Sequence, residues 1–224
     1  LIKMKLTGRG KENYYDKFCF FSSSAERTRL FNRYIDAVAK SADAFVEKHN
    51  VFPIIIGMER LDLGPNKVLQ SRMKGTPPIF CSEDYNGYEM TAVLHKLSML
   101  ITSRYHARVL SMPGGVASGG ISMDERLENL LTESRHVNDY YLKTDDPDLA
   151  HKLPPMMERL WQNREQVSQE VLKMIPGYLE KMASMAEMFK NYIRRVYPEF
   201  PLKDKPAQWT RNLPPLEGHL KAIM

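Results

Sequence analysis

The residues best suited to chemistry lie together in the segment 103–106, Ser-Arg-Tyr-His. The segment follows the apolar run Met99–Thr102 and precedes a predicted helix, whose first backbone N–H groups have no partner within the helix and favour an anion. Arg104 adds a planar donor fork for phosphate or carboxylate, and His106 can donate a proton near neutral pH. Ser103 either caps the helix or contacts a phosphate oxygen. The alternative is purely structural: Ser103 caps, Arg104 pairs with an acid and His106 packs.

Three further polar loops follow predicted strands, and ligands of open α/β sheets bind outside the carboxyl ends of the strands. These loops are residues 59–62, 82–84 and 122–126. In the first loop, Glu59 and Asp62 could have a functional role and orient sugar hydroxyls or a base. The alternative is that they are ordinary surface acids. In the last loop, Arg126 opens a helix and is expected to face the same pocket as Arg104.

The elements that position these loops alternate between apolar strands and amphipathic helices. Predicted strands cover residues 52–58, 78–81, 99–102, 116–122 and 137–142, and predicted helices cover Ala25 to His49 and residues 65–73, 88–97, 105–111 and 123–133. This alternation predicts an α/β fold with a Rossmann-like parallel sheet and helices on both faces.

Four regions are expected along the chain. Residues 1–24 form a leader, 25–145 the Rossmann-like domain, 146–197 helices that pack on it, and 198–224 a proline-rich tail. Within the helical region, Pro176 and Gly177 predict a break or kink. Methionines concentrate there, and they serve either core packing or the binding of a partner. They are Met174, Met182, Met185 and Met188.

Composition limits the remaining possibilities. The chain has 224 residues, a net charge of +5 and 43% hydrophobic residues, and its basic excess is dispersed, which argues against a nucleic-acid partner. Cys19 and Cys81 predict buried free thiols in a reducing, cytoplasmic setting, and no spacing predicts a metal site. The absence of a starting methionine suggests a fragment.

Two stretches of the sequence carry a family resemblance. Residues 98–107 place Arg-Tyr-His-Ala directly after an apolar strand, and residues 112–124 supply a Gly-Gly-Val turn and a small-residue strand. Together they resemble the carboxyl-terminal half of the polysaccharide pyruvyl transferase family. The resemblance extends from about Phe52 to Glu133.

The resemblance implies one half of a two-domain, glycosyltransferase-B-like fold and a reaction without a cofactor. Phosphoenolpyruvate would be the donor, and a pyruvate ketal would form on two hydroxyls of a surface-polysaccharide precursor. By resemblance, Arg104 would hold the phosphate or carboxylate of the donor, and His106 would be a proton donor or phosphate ligand. The chain departs from the family pattern at three places, Tyr105, Ala117-Ser118 and Arg126. It also supplies only one of the two expected halves.

Two alternatives remain open. A glycosyltransferase of the same architecture would bind a nucleotide sugar, although the glycine pairs 114–115 and 119–120 flank a strand rather than form a phosphate loop. A non-catalytic half or subunit would rely on a partner for the missing half, and it would leave an apolar face open on the helix at 178–196. Peripheral attachment to a membrane is a further expectation for such a protein.

Overall fold

The computed structural model describes residues 25–202 and Gly218. The described chain divides into two compact units: unit 1, residues 25–90 and 143–155, and unit 2, residues 91–142 and 156–202. Each unit holds a small parallel sheet, so the protein is mixed α/β. Along the described ranges, every helix is too short or too polar to cross a membrane. The expected leader, Cys19 and most of the expected tail lie outside the described residues.

Unit 1 begins with a long amphipathic helix, α1, at Ala25–His49, with the bounds that the sequence predicts. Its apolar residues recur near the helical repeat, and Ile35, Ala39 and Phe45 are buried. The following elements are β1 (Ile55–Gly57), a 3-10 turn (Arg60–Asp62), α2 (Leu63–Arg72), β2 (Ile79–Cys81) and α3 (Gly87–Leu94). Strands β1 and β2 pair in parallel, with Ile55 opposite Ile79.

Unit 2 is built around a three-stranded parallel sheet with strand order β3-β4-β5. Its elements are β3 (Met99–Thr102), α4 (Tyr105–Ser111), a 3-10 turn (Met112–Gly114), β4 (Ala117–Ile121), α5 (Glu125–Glu133), α6 (Val137–Tyr140) and β5 (Tyr141–Leu142). Two long helices follow, α7 (Leu149–Gln162), whose first residues belong to unit 1, and α8 (Arg164–Val196).

The central strand β4 is buried along its whole length. Its small residues allow neighbours to approach closely: a Cβ atom on Gly120 would lie 3.0 Å from both Leu131 Cδ1 and Tyr141 Cδ2. Helix α5 and strand β5 therefore pack directly against the strand backbone. The apolar core beside this strand contains Leu127, Leu131, Leu160, Val167 and Val171.

Three details of the predicted architecture are corrected. The described strands form two sheets instead of one, because hydrophobic patterning identifies strands but not their partners. The predicted strand at 137–142 begins as helix α6, since Tyr140 N–H donates to the His136 carbonyl (2.9 Å). Helix α8 continues through Pro176 without a break. Burial of Val171 and Ile175, which both precede Pro176 on the helix, offsets the lost hydrogen bond, a cost of about 3 kcal/mol.

Candidate functional site

Strands β3 and β4 end side by side in unit 2, and the loops that follow them are joined. Thr102 lies opposite Gly120 in the parallel register. Ser122 Oγ donates to the Ser103 carbonyl (3.3 Å), and the Asp124 N–H donates to Ser122 Oγ (2.9 Å). The loop after β3 and the start of α5 are therefore fixed to each other at the carboxyl edge of this sheet.

The start of α4 is held by a threonine rather than by Ser103. Arg104 is the N-cap residue, and its N–H donates to Thr102 Oγ1 (2.9 Å), while the Thr102 hydroxyl contacts the Arg104 carbonyl (3.3 Å). Ser103 does not cap this helix, one of the two roles that the sequence allows it, because Arg104 is the N-cap residue and no side chain forms a cap hydrogen bond. The helix has only seven residues, so its N-terminus makes a weak anion site, and the side chains must supply the attraction.

Two arginines act on one carboxylate at this edge. Asp124 caps α5 and accepts hydrogen bonds from Arg126 N (2.9 Å), Nε (3.0 Å) and Nη2 (2.7 Å). The pKa of Asp124 is lowered, chiefly by the hydrogen bond from the Arg126 side chain, and the charge of Arg104 lowers it further. The positive charges of Arg126 and Arg104, which belong to two separate loops, thus both act on Asp124.

Tyr105 connects the remaining members of the cluster. The Arg126 guanidinium lies 5.4 Å from the centre of the Tyr105 ring, a cation–π contact. The exposed His106 ring packs edge-on against the same tyrosine, with 5.6 Å between ring centres. The structure therefore brings Ser103, Arg104, His106 and Arg126 to one sheet edge, the arrangement that an anion site with a neighbouring proton donor requires.

Glu59 and Asp62 belong to unit 1, where Asp62 builds the loop after β1. Its side chain is buried, and Oδ2 accepts the N–H groups of Met58 (3.0 Å) and Glu59 (3.1 Å). The thiol of Cys81, which is free and buried as predicted, lies 3.6 Å from the Glu59 carbonyl. Asp62 therefore satisfies backbone donors and has little capacity left for a substrate hydroxyl.

Arg108 is a residue whose importance sequence reasoning missed. Its side chain is fully buried and donates to the Ser118 carbonyl (2.7 Å), to the Ser118 hydroxyl and to Ser134 Oγ (3.3 Å). Burial lowers the pKa of Arg108 to about 10. The available signal was its position on the face of α4 that also carries Ala107 and Ser111, both buried. Arg108 fastens α4 to the central strand and to the end of α5, behind the candidate site.

A second polar region of unit 2 lies at the other end of α5. His136 is buried, and its Nε2 lies 2.7 Å from Glu170 Oε2, while Gln166 Nε2 donates to Glu170 Oε1 (2.9 Å). These residues line a cleft of about 500 Å³ between α8 and the start of α6. Since its Nε2 is engaged by Glu170 and its Nδ1 is shielded from solvent, His136 ties two helices together rather than facing a ligand.

Within residues 25–202, no three histidine, cysteine, aspartate or glutamate side chains gather closely enough to hold a metal ion. Comparison of the chain with protein-family models, curated proteins and solved structures finds no match. The resemblance to polysaccharide pyruvyl transferases therefore stays a prediction from the sequence.

Proposed function

We propose that unit 2 binds a small anionic donor of the phosphoenolpyruvate class at the carboxyl edge of its sheet and transfers the pyruvyl group to a saccharide. One observation carries the proposal: the Arg126 fork holds the Asp124 carboxylate, and the charge of Arg104, from a different loop, also lowers the pKa of that carboxylate. A position where one guanidinium holds a carboxylate and a second positive charge acts on it suits the phosphate or carboxylate of a donor. On this proposal, unit 2 is a Rossmann-like half of a glycosyltransferase-B-like enzyme.

The chemistry assigns a distinct task to each residue. His106 would donate a proton to the methylene carbon of phosphoenolpyruvate, which becomes a methyl group while a sugar hydroxyl adds to the central carbon. The bond from that carbon to the phosphate oxygen then breaks, and phosphate leaves with the electron pair. A second sugar hydroxyl adds and closes the ketal; of the two hydroxyl protons released, one returns to His106 and the other leaves with the phosphate. Arg104 and Arg126 would stabilise the charge that collects on the departing phosphate.

Thermal unfolding in the presence of phosphoenolpyruvate tests the binding step. At a concentration 100 times the dissociation constant, binding stabilises the folded chain by about 2.7 kcal/mol, which raises Tm measurably. We expect Arg104→Ala and Arg126→Ala to abolish this shift while the Tm of the free protein changes little. Arg195→Ala, which removes an exposed positive charge at the end of α8, is the matched control and should keep the full shift.

The outcomes separate the proposal from its alternatives. An equal shift in Arg104→Ala and the wild-type protein would place the ligand elsewhere. A shift with a nucleotide sugar but not with phosphoenolpyruvate would favour a glycosyltransferase. The catalytic step is checked separately by release of inorganic phosphate in the presence of saccharide acceptors. We expect His106→Gln to bind the donor normally but to lose phosphate release.

A further inference from the structure

Among the described residues, the second half of α8 carries a largely exposed apolar stripe with a regular spacing. Apolar residues recur at alternating intervals of four and three; they are Tyr178, Met182, Met185, Phe189, Tyr192 and Val196, here called the α8 seam. From Met182 onward the exposed fractions of these side chains are 57, 65, 63, 49 and 42%. Large apolar side chains exposed in one continuous row mark an interaction surface.

In the described part of unit 2, Tyr178 at the start of the α8 seam donates to Glu133 Oε2 (2.8 Å), whereas the residues from Met182 onward are largely exposed. The first half of the helix buries Val167, Val171 and Ile175, and in the second half Ala183 is buried on a different side. The helix is thus held by its own core contacts. The row of exposed side chains adds no contact that would explain five large apolar residues at the surface.

The spacing indicates what kind of surface would cover the seam. Intervals of four and three average 3.5 residues, the repeat with which one α-helix packs along another. The seam runs about 27 Å along the helix axis, enough for two heptads. The pattern favours a partner helix.

The charges beside the seam restrict the partner further. Lys181 Nζ lies 5.3 Å from the centre of the Tyr178 ring, and the Arg195 guanidinium lies 5.8 Å from that of Tyr192, so both cations border the seam directly. Lys181 also pairs with Glu133 (Nζ to Oε1, 3.6 Å) but stays 69% exposed, so a second carboxylate can approach it. One heptad after Lys181 and one heptad before Arg195, the same side of the seam carries Met188, which is 72% exposed. In an antiparallel pair of two copies, Lys181 of one chain would face Arg195 of the other, which disfavours self-association.

We propose that the α8 seam binds an amphipathic α-helix of another polypeptide, with apolar residues in a heptad repeat and aspartate or glutamate at the flanking positions. Apolar side chains of this helix would pack between the seam methionines and aromatic rings. Its carboxylates would lie beside Lys181 and Arg195. This interaction is independent of donor binding at the sheet edge.

Two synthetic peptides of three heptads test the proposal against the full chain. Both carry leucine at the core positions; one has glutamate and the other lysine at the flanking positions, and each bears a fluorescent label for anisotropy measurements. We expect the glutamate peptide to bind at least ten times more tightly than the lysine peptide. The difference should shrink as salt is added, because screening weakens exposed charge pairs.

Matched variants locate the interaction. Met185→Glu and Phe189→Glu place a charge in the seam and should abolish binding of the glutamate peptide. Asn191→Glu adds the same charge to an exposed position of the same helix outside the seam, and it should reduce binding at most twofold. Because these positions are exposed, circular dichroism and Tm should match those of the wild-type protein, which separates lost binding from lost folding.

Other results would overturn the proposal. Equal binding of the two peptides, or no binding of either, would remove the charge argument or the site. A dimer in sedimentation analysis that Met185→Glu converts to a monomer would identify a second copy as the occupant. Cosedimentation with vesicles of phosphatidylserine and phosphatidylcholine, lost in Met185→Glu, would identify a membrane surface instead.

Discussion

In each unit two parallel strands end side by side, yet different kinds of side chain stabilise the loops at the two edges. In unit 1, the loop after β1 closes on its own acid, because Asp62 accepts two backbone N–H groups. In unit 2, the hydroxyls of Thr102 and Ser122 close the loops. At the first edge a carboxylate holds the loop, whereas at the second edge two neutral hydroxyls share that task with the Asp124 cap.

The second edge is also held from behind. Arg108 reaches from α4 to Ser118 on the central strand and to Ser134 at the end of α5. The backbone at this edge is thus fixed by hydroxyls, by the Asp124 cap and by this buried guanidinium. The Arg126 fork binds the Asp124 side chain, and a ligand would have to replace that contact.

Replacing Arg108 should produce the largest loss of stability. Arg108→Ala leaves a cavity and removes the partners of Ser118, and we expect it to lower the free energy of unfolding by about 3–5 kcal/mol, as for other large buried side chains. Arg108→Met keeps the volume and removes the buried charge, so its cost should be about 1 kcal/mol or less. Urea unfolding midpoints measure both. Equal costs for the two variants would show that hydrogen bonds rather than packing hold the edge.

Asp62 should come second and distinguish the two edges. Asp62→Ala leaves two N–H groups of the loop without their acceptor, and we expect a loss of about 2 kcal/mol in urea unfolding. Lys67→Ala, at an exposed position of the following helix, should cost less than about 0.5 kcal/mol. If Arg104→Ala costs as much as Asp62→Ala, the contrast between a structural and a functional edge is wrong.

The sequence predicts elements well where one signal dominates. Helix α1 has its predicted bounds because its apolar positions repeat over 25 residues. The segment 137–142 misleads because β-branched and aromatic residues suggest a strand, while the His136 carbonyl starts a helical turn there. Of the break or kink predicted at Pro176, a break is absent from the helix, since burial of Val171 and Ile175 before the proline outweighs a single lost hydrogen bond.

The candidate site was predictable in part. The loop positions of Arg104 and Arg126 follow from the order of strands and helices, and parallel pairing of β3 with β4 then brings them together. The roles of Asp62, Asp124 and Arg108 depend on which backbone groups lie nearby, and no periodicity encodes that. In the sequence, Arg108 resembles an ordinary surface cation. Only the structure shows that it lies beside Ser118.

Removing Asp124 should sharpen the picture of the second edge. Asp124→Asn keeps a residue that caps helices well but releases the Arg126 fork. We expect phosphoenolpyruvate to bind roughly three to ten times more tightly, the scale of one hydrogen bond to a charged group. Glu125→Gln, an exposed neighbour with the same change of charge, is the control for calorimetry. Weaker binding in Asp124→Asn would make Asp124 a ligand-positioning group instead.

The smallest effect is expected at Glu170, which lies at neither edge. Hydrogen bonds from Gln166 and His136 lower its pKa, so its contribution to stability is present above the pKa of the unfolded chain and is lost as pH falls through the lower folded value. The side chain is 42% exposed, and the contribution should stay below about 1 kcal/mol. Glu170→Gln should therefore lower the urea midpoint slightly at pH 7, and the difference from wild type should disappear at acidic pH. A difference that is independent of pH would assign the loss to packing in the cleft rather than to the carboxylate charge.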